Sequence, residues 1–297
     1  MSTKRAVVVG LNYNAKYDYL LKAYINSAKL LCEVLKEDFG YEEENICFIH
    51  DGRPFNANSG SFILSQLRNL ITSSIAGDEI LFYFAGHGNS DIFIDDNGVE
   101  HVQQSLCCGE KFLSGSLTWI TDKELKDCLN MLAEGVYFTM ILDCCFSGNL
   151  IDGLKQQLTC KGRRGFADIL DVVGGEDTRQ QRQLVSLFSA CQRNQVAWET
   201  RELVNGQIKP RSVFTDTLLE IVRNKGGCIT NRELMTELNK VCSVHRCIQT
   251  PGLFCTDDHS YSLFLGGKQP KSDALKSIYC VAIAFVLTYS AYKKISE

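Results

Sequence analysis

The chain has 297 residues, 45% of them apolar, enough for one large α/β domain or two small ones. A net charge of −4 leaves no basic footprint for nucleic acid, and fourteen scattered cysteines lack the paired CxxC spacing of a zinc site. Only a short apolar run follows Met1-Ser2-Thr3-Lys4-Arg5, so no secretory signal is expected and the thiols should stay reduced in a cytoplasmic setting.

Arg5 to Leu11 reads as a buried parallel strand ending at Gly10, and Asn12 to Asp18 as a polar loop. Leu20 to Phe39 carries apolar residues at helical spacing (Leu21, Tyr24, Ile25, Ala28, Leu31, Leu35) and stops near Gly40. A strand, a glycine and a helix can hold a nucleotide, but the G-x-G-x-x-G fingerprint is missing. Asn45 to His50 is a second strand, and Asp51 to Gly60 a loop. Ser61 to Ser74 is a second helix, with Ile63, Leu64, Leu67, Leu70 and Ile71 on one face.

Ile80 to Phe84 is a third strand, running into Ala85-Gly86-His87-Gly88. Glycines on both sides leave the imidazole unhindered and let backbone approach a ligand closely. The order βαβαβ predicts a doubly wound, mostly parallel sheet. Asn89 to Thr118 reads as loop with at most a short hairpin, and Asp95-Asp96-Asn97-Gly98 as a solvated turn, because the EF-hand spacing is missing. A helix then runs from Asp122 through Leu132, with Thr121 and Glu124 forming a capping box.

Val136 to Leu142 is almost wholly apolar and ends in Asp143-Cys144-Cys145-Phe146-Ser147-Gly148. Such a strand presents acid and thiols at the rim of a parallel sheet, where open α/β proteins place their sites. Buried free thiols and lone structural histidines are both common. A cysteine at one strand end and a histidine at another is instead what thiol proteolysis needs: a nucleophile and a proton carrier.

At these residues the chain resembles the caspase-like cysteine peptidases, most of all the metacaspases and their bacterial relatives. The resemblance runs from about Arg5 to Leu265, with Phe146 where the metacaspase signature often has His. His87 precedes Cys145 by roughly the 50 residues that separate the two in caspases. It implies a caspase-like α/β fold: a mostly parallel central sheet flanked by helices in an α/β/α sandwich. It also implies a cysteine endopeptidase with Cys145 as nucleophile, His87 as its partner, and the backbone N–H groups of Gly88 and Cys145 as oxyanion donors. Asp143 is expected to face the substrate pocket and select Arg or Lys. The two polar pocket residues that metacaspases carry at the first helix become Tyr24 and Ser27, and Ala85 replaces a frequent Ser, so basic selectivity should be weaker. Many metacaspases need calcium. The candidates Asp122, followed by Lys123, and Asp152 are weak, and no cofactor is expected to be required.

The implied layout is a large-subunit region over 1–155, a linker over 156–183, a small-subunit region over 184–268 and a tail over 269–297. The linker is polar and holds Arg163-Arg164, Arg179 and Arg182, candidate self-cleavage sites on an exposed segment. Leu184 to Cys191 is a strand, with Gln195, Ala197 and Glu199 beyond it. Helices are expected from Ser212 through Val222 and over Thr230 to Val241, and a last strand over Tyr261 to Leu265. Ser277 to Tyr292 is apolar and bracketed by lysines, short for a span of about 20 residues yet able to anchor the chain in a membrane. Expected partners are protein or peptide substrates, not nucleic acid. The competing reading is a catalytically silent caspase-like adaptor tethered by that tail.

Overall fold

The computed structural model describes residues 2–13, 21–51, 58–94, 98–110, 117–145, 155–158, 184–192, 195–204, 207–244, 249–256 and 259–267. The apolar runs form the centre of a seven-stranded sheet in the order β2-β1-β3-β7-β9-β12-β8. Its members are β1 (Lys4–Gly10), β2 (Ile46–His50), β3 (Glu79–Ala85), β7 (Tyr137–Asp143), β8 (Lys155–Leu158), β9 (Leu184–Ser189) and β12 (Gly252–Cys255). Neighbours from β2 through β9 are parallel, while β12 runs antiparallel to β9 and β8 antiparallel to β12. Strands buried on both faces need apolar residues at every position, which is why V-V-V, I-L-F-Y-F and M-I-L read so clearly in the sequence.

Successive side chains of a strand point to opposite faces, so the sheet feeds two cores. Val7, Val9, Phe82, Phe84 and Met140 pack with α2 (Gly60–Thr72) and α3 (Asp122–Leu129). Ala6, Val8, Leu81, Tyr83 and Ile141 pack with α1 (Tyr24–Phe39), α4 (Val213–Asn224) and α5 (Asn231–Val244). This is the α/β/α sandwich expected from the strand and helix alternation. Gly10 lets β1 meet α1, since a Cβ there would lie 2.6 Å from the Ala28 Cβ. Helix α1 ends at Gly40 in the left-handed region (φ 70°), and the capping box of Thr121 and Glu124 opens α3.

Three expectations need correction. Asn89 to Thr118 is not mainly loop: β4 (Gly88–Ile94), β5 (Glu100–Glu110) and β6 (Leu117–Thr121) form an antiparallel sheet. Its outer end is exposed, apolar Ile92, Ile94, Val99 and Val102 included, and burial is confined to the base, at Leu106, Cys108 and Ile120. A second hairpin, β10 (Glu199–Val204) with β11 (Gln207–Ser212), was equally illegible. Tyr261 to Leu265 is not a strand but two short 3-10 turns, His259–Tyr261 and Phe264–Gly266, where Leu265 takes φ 48°. The first helix starts at Tyr24, not Leu20. Lys155–Leu158 pairs as β8, whereas residues 159–183, the apolar run at 277–292 and Phe146 to Gly148 lie outside the described residues. No described helix is long and apolar enough to cross a membrane.

Candidate active site

Register sets up the site. Gly10, Ala85 and Asp143 lie level on adjacent parallel strands, with Leu142 opposite Ser189 one strand further. The chain therefore leaves the sheet repeatedly at one carboxyl rim. His87 and Cys145 each stand two residues beyond that line, on neighbouring strands about 5 Å apart. The two loops touch: a Cβ on Gly88 would collide with the Cys145 carbonyl oxygen and lie 3.4 Å from the Cys144 sulfur. Both His87 and Cys145 are half-buried, and Cys144 is fully buried.

Tyr13 holds the histidine loop, and nothing in the sequence reading singled it out. Its hydroxyl accepts the His87 N–H at 2.8 Å and donates to the Cys107 carbonyl at 2.6 Å. Its ring lies 4.8 Å from the imidazole, tilted by 35°. It takes φ 60°, a conformation that costs a non-glycine residue energy and persists only where surrounding contacts enforce it. Those contacts include the Asp51 carboxylate, which accepts the Asn12 N–H at 2.9 Å, and the Asn12 side-chain oxygen, which accepts the Ile25 N–H at 3.2 Å. Tyr13→Phe keeps the ring but leaves the His87 N–H unpaired. Peptide hydrolysis is expected to lose about tenfold in kcat with little change in KM, the mark of a positioning residue. Steady-state kinetics on one peptide amide checks the split.

Burial is the largest influence on the Cys145 thiol and pushes its titration upward, and Asp143 adds to this. The backbone N–H groups of Ala197, Cys145 and Gly88 pull the other way. Gly88 and Ala197 thus lie near the sulfur, Ala197 coming from the chain beyond β9. Ala197 is fixed by its neighbours: the Trp198 N–H donates to Gln249 Oε1 at 2.8 Å, and the Cys191 thiol donates to the Cys144 and Gln195 carbonyls at 3.3 Å each. Val196 and Trp198 flank it in the chain and are exposed.

Asp143 is fully buried at the foot of this rim. Its Oδ2 accepts from the Ser212 hydroxyl and, at 2.5 Å, from the Thr215 hydroxyl, whereas its Oδ1 has no hydrogen-bond partner. Burial pushes the carboxyl up to about 7, opposed by the two hydroxyls and reinforced by Asp216. Tyr24 is buried within electrostatic reach: burial first, then Asp143, Glu199 and Cys145, hold its phenol well above its ordinary value. Tyr24 therefore belongs to the same rim. Ser27 is buried with its hydroxyl unpartnered, and Ala85 is sealed in the core at the end of β3. Glu199 caps α1 from a distance, accepting the N–H groups of Lys22 at 2.8 Å and Ala23 at 2.6 Å. A carboxylate at a helix N-terminus stabilises it through both hydrogen bonds and the helix dipole.

The calcium candidates fare differently. Both Asp122 oxygens accept backbone N–H groups, from Gln104 at 3.2 Å and Lys123 at 2.8 Å, so the side chain serves the start of α3. Asp152 lies outside the described residues. Among the described residues no three acidic, His or Cys side chains gather as a metal site.

The fold places the chain in the caspase class: it aligns with caspase-1 from Spodoptera frugiperda at a TM-score of 0.51 and 13% identity, covering 91% of this chain and 92% of that one. Residues 4–154 match the model of the metacaspase, peptidase C14 domain, and the chain belongs to that family of cysteine peptidases. Metacaspase III c of Phaeodactylum tricornutum is 30% identical over 153 residues, 50% of this chain and 44% of that protein. Metacaspase-4 of Arabidopsis thaliana is 30% identical over 165 residues, 52% of this chain and 36% of that protein. The chain thus spans less than half the length of these curated relatives.

Proposed function

We propose that the chain is a cysteine endopeptidase acting on protein substrates through Cys145 and His87. The observation that carries this reading is the packing of the His87–Gly88 loop onto Cys145 at the carboxyl rim of the sheet. Burial keeps the resting group a thiol, so His87 removes the Sγ proton as the sulfur attacks the scissile carbonyl. The carbonyl oxygen becomes an oxyanion, received by the N–H groups of Gly88 and Cys145. The imidazolium gives its proton to the leaving amine as the C–N bond breaks, leaving a thioester on Cys145. His87 then takes a proton from water, whose oxygen attacks the thioester and releases the acid and the thiol.

Cleavage follows Arg or Lys. Supporting this, Asp143 Oδ1 has no protein partner while Oδ2 is anchored, so one oxygen is left for an incoming cation. The free cysteines among the described residues suit a reducing, cytoplasmic setting, and family membership fits peptide substrates as partners.

The test is a set of peptide amides differing only in the residue before the cut, assayed at about pH 6 and about pH 8. A carboxyl titrating near 7 is mostly protonated at the lower pH and ionised at the upper. The preference for Arg over Leu is therefore expected to grow roughly tenfold with that rise in pH. Cleavage after Asp in place of Arg and Lys sinks the specificity.

A further inference from the structure

Building on the peptidase reading, we propose that β4 is a docking strand for the leaving half of the substrate, with an apolar face for residues about four to six positions after the cut. Strand β4 starts at Gly88, beside the Cys145 sulfur, and stands at the edge of its three-stranded sheet. Among the described residues only β5 pairs with it. The Cys107 N–H donates to the His87 carbonyl at 2.9 Å, which fixes the phase of that ladder. His87 turns its carbonyl to β5, so Gly88, Ser90, Ile92 and Ile94 turn their backbone groups outward, as alternate residues of an antiparallel pair must. The register runs without a shift from Gly88 opposite Leu106 to Ile94 opposite Glu100, so the phase holds along the strand. The Gly88 N–H, an oxyanion donor in the peptidase reading, is therefore the first of a row of edge groups. An extended peptide with its scissile carbonyl on that N–H meets the others in line, since both strands advance about 3.3 Å per residue.

Gly88, Ser90, Ile92 and Ile94 also share one face, because side chains alternate along a strand. At its base that face looks toward the nucleophile, where a Cβ on Gly88 would meet the Cys145 carbonyl. Further out it is apolar and open: Ile92 is 65% exposed, Ile94 70%, and Val102, opposite Ile92, 38%. An exposed edge lined by apolar residues is a template for another strand, and proteins commonly blunt such edges with lysine or proline. The stretch from Gly88 to Glu110 holds neither, and no arginine. Asp91 is exposed, and so is Glu100 opposite Ile94, which selects an apolar occupant with basic flanks over an acidic one.

The two faces of the central sheet separate the halves of the substrate. Asp143, the partner of the residue before the cut, shares a strand face with Ile141 and bonds Ser212 and Thr215 at the start of α4. The base of the β4–β5 arm, with Leu106 and Ile120, packs in the cluster on the opposite face. The half that carries the residue before the cut thus turns away from the arm, and the half released as the amine lies along it.

The test uses the full chain and two peptides, identical through an Arg at the cut and differing only in Ile or Glu at the fourth through sixth positions after it. A third substrate carries a coumarin amide directly after Arg and has no leaving half. Wild-type kcat/KM is expected to be about tenfold higher for the Ile peptide than for the Glu peptide. In the double variant Ile92→Ser, Ile94→Ser, the ratio of kcat/KM for the Ile peptide to that for the coumarin amide should fall about tenfold, and a ratio cancels any loss of folded enzyme. Fluorescence anisotropy of the two peptides with Cys145→Ala should give the same order of affinity. Equal hydrolysis of the Ile and Glu peptides overturns the docking strand and leaves the peptidase standing. Tighter binding of the Ile peptide without hydrolysis by the wild type supports the docking strand and overturns the peptidase. A double variant that keeps the wild-type ratio overturns the docking strand, and one that does no more than convert a dimer to monomers overturns it in favour of a second copy of this chain.

Discussion

Cys145→Ala is expected to reduce hydrolysis of an arginyl peptide amide by about 10⁶-fold, to the level of background. Cys145 is the half-buried thiol against which the His87–Gly88 loop packs, and alanine offers no nucleophile in its place. Cys144→Ala is the informative companion. Cys144 is fully buried, and burial, followed by Cys191, holds its thiol well above its ordinary value, so it is a poor nucleophile and a packing residue. Its removal should cost stability, seen as a lower thermal midpoint, and leave most of kcat. Turnover on one peptide, with the melting curve of each variant beside it, decides between the two thiols. Loss of activity in Cys144→Ala with retention in Cys145→Ala would reverse the assignment.

Gly88→Ala is expected to cost about 10³-fold in kcat. Losing a single oxyanion donor typically removes 10²–10³, about 3 kcal/mol of barrier. Here the damage goes further, because the new methyl meets the Cys145 carbonyl and the rigid backbone must move. Moving it shifts both the donor and the nucleophile, and catalytic groups tolerate displacements of only about 1 Å. The effect should appear in kcat more than in KM, since a ground-state carbonyl gains little from the donor. The thermal midpoint should fall by a few degrees only, because the loop stands at the rim, outside both hydrophobic clusters. A Gly88→Ala enzyme with wild-type kcat would show that this loop takes no part in the chemistry.

These two residues illustrate how the chain could be read before its coordinates. His87 between two glycines and Cys145 after an apolar run were visible because each sits where a strand pattern breaks, and strand patterns are local. Tyr13, Ser212 and Thr215 were invisible as site residues. Tyr13 acts by accepting from a residue far along the chain, and the two hydroxyls close on Asp143 from as far away, Ser212 at the end of β11 and Thr215 in the first turn of α4. The β4–β6 sheet was missed because its exposed strands are held by backbone ladders, to which side-chain pattern is blind.

By itself the sequence determined the layered α/β class, the parallel strand cores and the strand ends that carry His87 and Cys145, because burial of apolar strands and reactive residues at their ends leave a mark within ten residues. Only the tertiary structure decided that Gly88 lies against Cys145, that Tyr24 lies within electrostatic reach of Asp143 and that one Asp143 oxygen is anchored by two hydroxyls. Those relations depend on the register between strands and on loops that meet across the rim, and such long-range contacts follow from the packing of the whole sheet.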